Sequence, residues 1–250
     1  GKFFQNSPQA RKKVFLVSKA SGARNIDQLK QYFQNSLENM KTDYIDLYHG
    51  VHGLSNPSQL TDELKQWSLK AKKQGRIKLF GFSTHKNMTQ NLLAASKLDW
   101  IDVIMTSYNF RLIQDKKFLK AVQTCQKAGI AIVAMKTQGH RTGAYRDADE
   151  PLKTQADKKI VQHFLNKGFT PGQAKIKAAL KNPAVSSACV MCKNIKMLNL
   201  NIQAVTNSQD LTNSDHNALK NYANLTKSEY CRACTRCEKI TKINCISDVI

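Results

Sequence analysis

YIDLYHGVH, residues 44–52, decides the fold. It is a short run of β-branched and aromatic residues, too brief for an ordinary helix, and it closes on polar groups that end in His52. The same theme recurs outward along the chain as KVFLVSKA (13–20), IKLFGFSTH (77–85), IDVIMTSYN (101–109), IAIVAMK (130–136) and VSSACVMCK (185–193). Segments of helical length separate these runs. Ile26, Leu29, Phe33, Leu37 and Met40 form one apolar stripe, and Leu60, Leu64, Trp67 and Ala71 form another. Six strand-helix units in alternation predict an α/β fold with a mostly parallel sheet. Both a doubly wound sheet and a (β/α)8 barrel fit that alternation.

The polar strand ends separate the two. Lys19, His52, Ser83 to His85, Tyr108 with Asn109, Lys136 and Lys193 each follow an apolar run. At any one position this is only where polarity resumes. Six in succession fit a barrel, in which the C-terminal strand ends converge on one face and build the active site.

Composition narrows the class. At 250 residues and 41% hydrophobic content the chain can bury one large core. No apolar run approaches the roughly 20 residues needed to span a bilayer, and GKFFQNSPQARKK at the start has no signal-type apolar core. Thirty-nine basic residues against eighteen acidic ones give a formal charge of +21. The lysines are spread along helix-like segments such as LKQWSLKAKKQGRIK, without a basic block interleaved with aromatics. That pattern argues against a nucleic-acid partner and for solvated helix faces that also steer anionic ligands.

Taken in order, KKVFLVSKAS, SLENMKTDYIDLYHGVHGLS, GRIKLFGFSTHKNM, WIDVIMTSYNFRL, AIVAMKTQG, NPAVSSACVMCKN and YCRAC resemble the aldo-keto reductases, in particular the subgroup with a cysteine-rich C-terminal extension. The resemblance covers essentially the whole chain. It implies a (β/α)8 barrel that binds NADP(H) or NAD(H) and moves a hydride to or from a small-molecule carbonyl or alcohol. It also implies an incomplete barrel here: six units in place of eight, with the family's catalytic aspartate and tyrosine expected upstream of Gly1. A cytoplasmic location is implied, or export behind a twin-arginine signal if the upstream sequence carries one.

Hydride addition leaves charge on the carbonyl oxygen, so the site needs a proton donor and fixed polar groups around that oxygen. By resemblance, Lys19 matches the lysine that lowers the pKa of the proton-donating tyrosine, and His52 matches the histidine that orients the carbonyl. The run from Tyr48 to the His-Gly pair carries one residue more than the family pattern, which leaves His49 as a competitor and predicts a strand bulge. For the cofactor, the resemblance assigns Ser83 to the nicotinamide amide, Tyr108 and Asn109 to the neighbouring strand end, Lys193 to phosphate and Asn201 to adenine. Thr84, Met105 and Met197 stand where the family has asparagine, glutamine and arginine. Lys193 and Lys196 are then the candidate phosphate neighbours.

The tail YCRACTRCEKITKINC (230–245) places Cys231, Cys234 and Cys237 as CxxCxxC, with Cys245 eight positions on. Such spacing suits an iron-sulfur cluster or a closed zinc site. The resemblance implies a ferredoxin-like 4Fe-4S cluster and with it a redox partner protein; zinc is the alternative. The expected organisation is a barrel over 1–208 and a helical, cysteine-rich extension over 209–250. A second function class stays open: a catalytically degenerate barrel acting as a basic, zinc-stapled binding protein.

Overall fold

Each of the six apolar runs contains a strand in the computed structural model, which describes residues 1–138, 154–229 and 240. The strands are β1 (Val17–Lys19), β2 (Ile45–Val51), β3 (Ile77–Thr84), β4 (Val103–Ser107), β5 (Ala131–Met135) and β6 (Val185–Ala188). They form one sheet in the order β1-β2-β3-β4-β5-β6, and β1–β2, β2–β3 and β5–β6 pair in parallel. The helices are α1 (Lys2–Asn6), α2 (Ile26–Met40), α3 (Asp62–Lys73), α4 (Met88–Ala95), α5 (Lys116–Lys127), α6 (Gln155–Leu165), α7 (Pro171–Leu180), α8 (Ile195–Thr206) and α9 (Asn213–Leu225). Sequential strands in neighbouring positions, joined by helices, are what a (β/α)-barrel type of fold requires.

The chain divides into two compact units, Gly1–Met105 with Ala121–Ala131, and Thr106–Lys120 with Ile132–Ile250. In the first unit, α2 begins at the Asn25 cap, whose side chain accepts the Gln28 N–H at 2.9 Å, and ends where Lys41 turns left-handed at φ 54°. Its buried stripe is Leu29, Phe33 and Leu37, as the spacing predicts. Phe33 meets Tyr48 edge-on at 4.9 Å between ring centroids and Trp67 of α3 at 5.4 Å. Trp67 touches Phe80 of β3, which stacks on Trp100 at 5.7 Å. This aromatic chain joins the helix layer to β2 and β3. Gly50 is required beside it: a Cβ there would lie 2.3 Å from the Phe80 ring.

The first strand is shorter than its apolar run. Residues 8–13 form a 3-10 turn, and the Leu16 N–H is taken by the Asp46 carboxylate at 2.9 Å, where a ladder bond would otherwise begin. Asp46 is also held by Arg11 at 2.9 Å and Lys78 at 2.7 Å, and Arg11 stacks over Tyr44. Burial raises the Asp46 pKa, but the Leu16, Lys78 and Arg11 contacts outweigh it and leave the carboxyl below its usual value. At the other end of the order, β6 stops at Ala188; Cys189 still donates to the Ala134 carbonyl at 2.8 Å, and beyond it the chain leaves the ladder.

The second unit has its own core, in which Ile160 and Phe164 of α6, Ala174 and Ala178 of α7, and Leu219 and Tyr222 of α9 pack with Phe110 and Phe169. Capping boxes start α6 (Thr154 with Asp157), α7 (Thr170 with Gln173) and α9 (Thr212 with Asp215). Asp215 also binds Lys167 and His163, each at 2.7 Å. Thus α9, which begins the expected extension, shares a hydrophobic core with α6 and α7.

Candidate active site

Lys19 is the last residue of β1, and His49 is its partner in register on β2. The β2–β3 register runs Tyr48 to Phe80 and His49 to Gly81, then jumps to Val51 against Phe82. Two residues of β2 therefore advance against one of β3. This is a bulge at the place where the sequence carries its extra residue. Beyond it, Gly53 turns the chain at φ 78°, a conformation that a residue with a Cβ adopts only under strain. The Gly53 N–H donates to Ser83 Oγ at 3.0 Å and the Leu54 N–H to the Ser83 carbonyl at 2.7 Å, so the end of β3 clamps the turn.

His52 sits between these features. Its Nε2 lies 3.2 Å from Lys19 Nζ and its Nδ1 lies 3.2 Å from Ser21 Oγ. Partial burial, then the Lys19 charge, lower its pKa. His49 is placed differently. It is 1% exposed, and neither ring nitrogen has a well-formed hydrogen bond among the described residues. Burial first, then the charges of Lys19 and His52, push its pKa down to about 4 against a weaker opposing influence from the Phe82 backbone. Of the two histidines, His52 is the one brought to the lysine.

The expected cofactor residues are bonded within the protein to different degrees. Ser83 accepts from Gly53, and its own O–H has no acceptor among the described residues. Thr84 is closed off, with its hydroxyl bonded to the Leu54 carbonyl at 2.7 Å and the Lys86 carbonyl at 3.0 Å, while Asn91 of α4 braces the same three groups. In the second unit, the Tyr108 hydroxyl accepts from Asn182 at 2.8 Å and its ring packs on Phe118. Asn109 donates to the Lys136 carbonyl at 3.1 Å and accepts the Arg111 and Leu112 N–H groups, closing the turn after β4. Asn201 accepts from Gln138 at 3.2 Å and donates to the Met191 carbonyl at 3.2 Å, with Cys192 Sγ at 3.5 Å. Lys193 and Lys196 are exposed beside the first turn of α8, where N–H groups and the helix dipole favour anions.

Ser21, Asn91 and Gln138 were not legible from the sequence, because each is bonded to at least one residue 31 to 63 positions away, His52, Leu54 and Asn201 respectively. Cys231, Cys234, Cys237 and Cys245 lie outside the described residues. Among the described residues there is no group of three or more His, Cys, Asp or Glu side chains placed to hold a metal ion, and no helix is long and apolar enough to cross a membrane.

A six-stranded α/β sheet whose neighbouring strand ends bring a lysine against a histidine is consistent with a fold of the (β/α)-barrel type. The family model for the aldo/keto reductase family matches residues 1–224, and the chain belongs to that family of oxidoreductases. Solved structures share the fold. The aldo-keto reductase AKR11C1 from Bacillus halodurans superposes in its apo form with a TM-score of 0.64 at 20% identity, over 88% of this chain and 74% of that one. Its holo form gives 0.65 at 19%, over 88% and 75%. The thermostable aldo-keto reductase Tm1743, in complex with the inhibitor epalrestat, gives 0.65 at 22%, also over 88% and 75%. No curated protein matches the sequence.

Proposed function

We propose that this chain carries the carbonyl-polarising and cofactor-holding parts of an NAD(P)H-dependent carbonyl reductase. The observation that carries the reading is the 3.2 Å contact between Lys19 and His52 at the ends of adjacent parallel strands, in a chain of the aldo/keto reductase family. A nicotinamide dinucleotide, when bound, supplies the hydride that adds to the carbonyl carbon. The chain's own part is electrostatic. Lys19 places a positive charge where negative charge develops on the substrate oxygen, and a donor already in place stabilises that charge at little reorganisation cost.

The residues fit a nicotinamide best at Ser83, whose O–H proton remains to be donated to an amide. Thr84 does not fit an amide-reading role, since its hydroxyl is bonded to the Leu54 and Lys86 carbonyls. Asn201 would meet an adenine with its amide already bonded to Gln138 and the Met191 carbonyl. Lys193 and Lys196 suit a phosphate, a group that NADP(H) and NAD(H) both carry. The tail cysteines are assigned to a 4Fe-4S cluster on spacing and resemblance, which would add an electron-transfer role and a redox partner protein.

Isotope transfer tests the reading. Protein expressed from the complete open reading frame is given NADPH deuterated at the transferring carbon and a panel of aldehydes and ketones. Deuterium at the former carbonyl carbon of the product is expected. Its absence across the panel, with cofactor bound, would overturn the assignment.

A further inference from the structure

One buried amide ties the turn after β2 to the end of β3. Asn91 of α4 is fully buried, as are Leu54 and Thr84. Its Nδ2 lies 3.0 Å from the Leu54 carbonyl, 2.9 Å from the Lys86 carbonyl and 3.0 Å from Thr84 Oγ1. Carbonyl oxygens only accept, so the amide turns its NH2 group and not its Oδ1 toward them. The Thr84 hydroxyl reaches the same two carbonyls, at 2.7 and 3.0 Å. Ser83 stands inside this knot: its Oγ accepts the Gly53 N–H and its carbonyl accepts the Leu54 N–H. We propose that Asn91 is a positioning residue for the nicotinamide end of the dinucleotide, fixing Ser83 through Leu54 and Thr84 so that the serine hydroxyl stands ready for the nicotinamide amide. The inference rests on the reductase reading and on its assignment of Ser83.

Packing alone does not account for this asparagine. Its Oδ1 is buried with no hydrogen-bond partner among the described residues, an arrangement that weighs against stability. A leucine would bury no such acceptor, and Thr84 would still bond both carbonyls. What the amide adds is a second tie on each carbonyl, so that the backbone on both sides of Ser83 is held as one body. The start of α4 is anchored to the same turn: Asn87, left-handed at φ 49°, donates its side-chain N–H to the Ser55 carbonyl at 2.9 Å. A hydroxyl held in place before the ligand arrives loses little freedom on binding, and the gain falls on the part of the ligand it touches.

The test compares two nucleotides by titration calorimetry on protein from the complete open reading frame: NADPH, and 2′-phospho-ADP-ribose, which lacks the nicotinamide. Asn91→Leu should weaken NADPH by up to about tenfold, the scale of one hydrogen bond, and leave the nicotinamide-free nucleotide unchanged. Ser83→Ala should show a loss of the same kind. Asn91→Leu added to Ser83→Ala should then weaken NADPH no further, because the asparagine acts through the serine. If Asn91→Leu does not fold, Thr84→Val takes its place, with the same loss expected and Thr84→Ser restoring the affinity. Equal weakening of both nucleotides, an NADPH affinity indifferent to these substitutions, or a further loss in the Ser83→Ala background would overturn the proposal while leaving the reductase reading standing. Wild-type protein that binds neither nucleotide would remove the reductase reading, and this inference with it.

Discussion

Lys19 stands in register with His49 across β1 and β2, yet its ammonium contacts His52, three residues further on. The bulge between His49 and Val51 accounts for the difference. It leaves one imidazole buried in the strand and carries the other past the strand end to the lysine. A single extra residue thus sorts two histidines into separate environments, and the consequences of each can be measured.

His49 should make the fold sensitive to mild acid. Its pKa in the folded chain is pushed down to about 4, first by burial, whereas an ordinary imidazole titrates near 6.5. Between those values the unfolded chain binds the proton and the folded chain does not. Stability therefore falls as pH drops from about 6.5 to about 4, by on the order of 3 kcal/mol, and the loss is complete below that window. His49→Leu should flatten this dependence and cost little at neutral pH, because the leucine removes two buried ring nitrogens that have no well-formed hydrogen bond among the described residues. Denaturant midpoints across a pH series measure it, and an unchanged slope in the variant would point to another group. His52 and His216, also lowered, contribute to the slope that should remain, and the lowered carboxyls of Asp46, Asp99 and Asp215 add to it toward the acid end.

Gly50 should be intolerant of even one methyl group. The added carbon would meet the Phe80 ring 2.3 Å away, and overpacking of this kind costs about 2 kcal/mol. Phe80→Leu alone should also destabilise, since it removes part of the aromatic chain with Trp67 and Trp100. The double variant should be more stable than the sum of the two effects, because the leucine makes room for the methyl group. Strict additivity in a double-mutant cycle would show that the two positions do not press on each other.

The tail has a test of its own. If Cys231, Cys234, Cys237 and Cys245 hold a 4Fe-4S cluster, protein purified without oxygen should be brown and bleach on reduction, and Cys234→Ser should abolish the colour. Zinc would be colourless, since its filled d shell gives no redox band. Stoichiometric zinc with no iron would instead favour the zinc-stapled binding protein.

Six strands were legible because β-branched runs alternate with amphipathic segments, and the bulge was legible as one residue too many between Tyr48 and His52. Strand lengths were less so. KVFLVSKA reads as eight strand residues, but Asp46 takes the Leu16 N–H that a longer ladder would need, and only Val17–Lys19 pair. Side-chain commitments were least legible. Nothing local in SYNF shows that the Tyr108 hydroxyl will meet Asn182, or that Asn109 will close a turn onto Lys136. Nothing around Asn201 shows that Gln138 will occupy its amide. Such pairings depend on tertiary neighbours 27 to 74 positions away in sequence, which periodicity and spacing do not encode.

The most direct measurement of the central claim is Lys19→Met in protein from the complete open reading frame, with turnover and dinucleotide affinity determined side by side. Lys19 is assigned to the charge that develops on the substrate oxygen, a contribution made mainly in the transition state. Turnover should fall by roughly a hundredfold or more, the scale of losing one oxyanion donor, while cofactor affinity stays within a few fold. Loss of affinity in step with turnover, or turnover close to that of the wild type, would contradict the account.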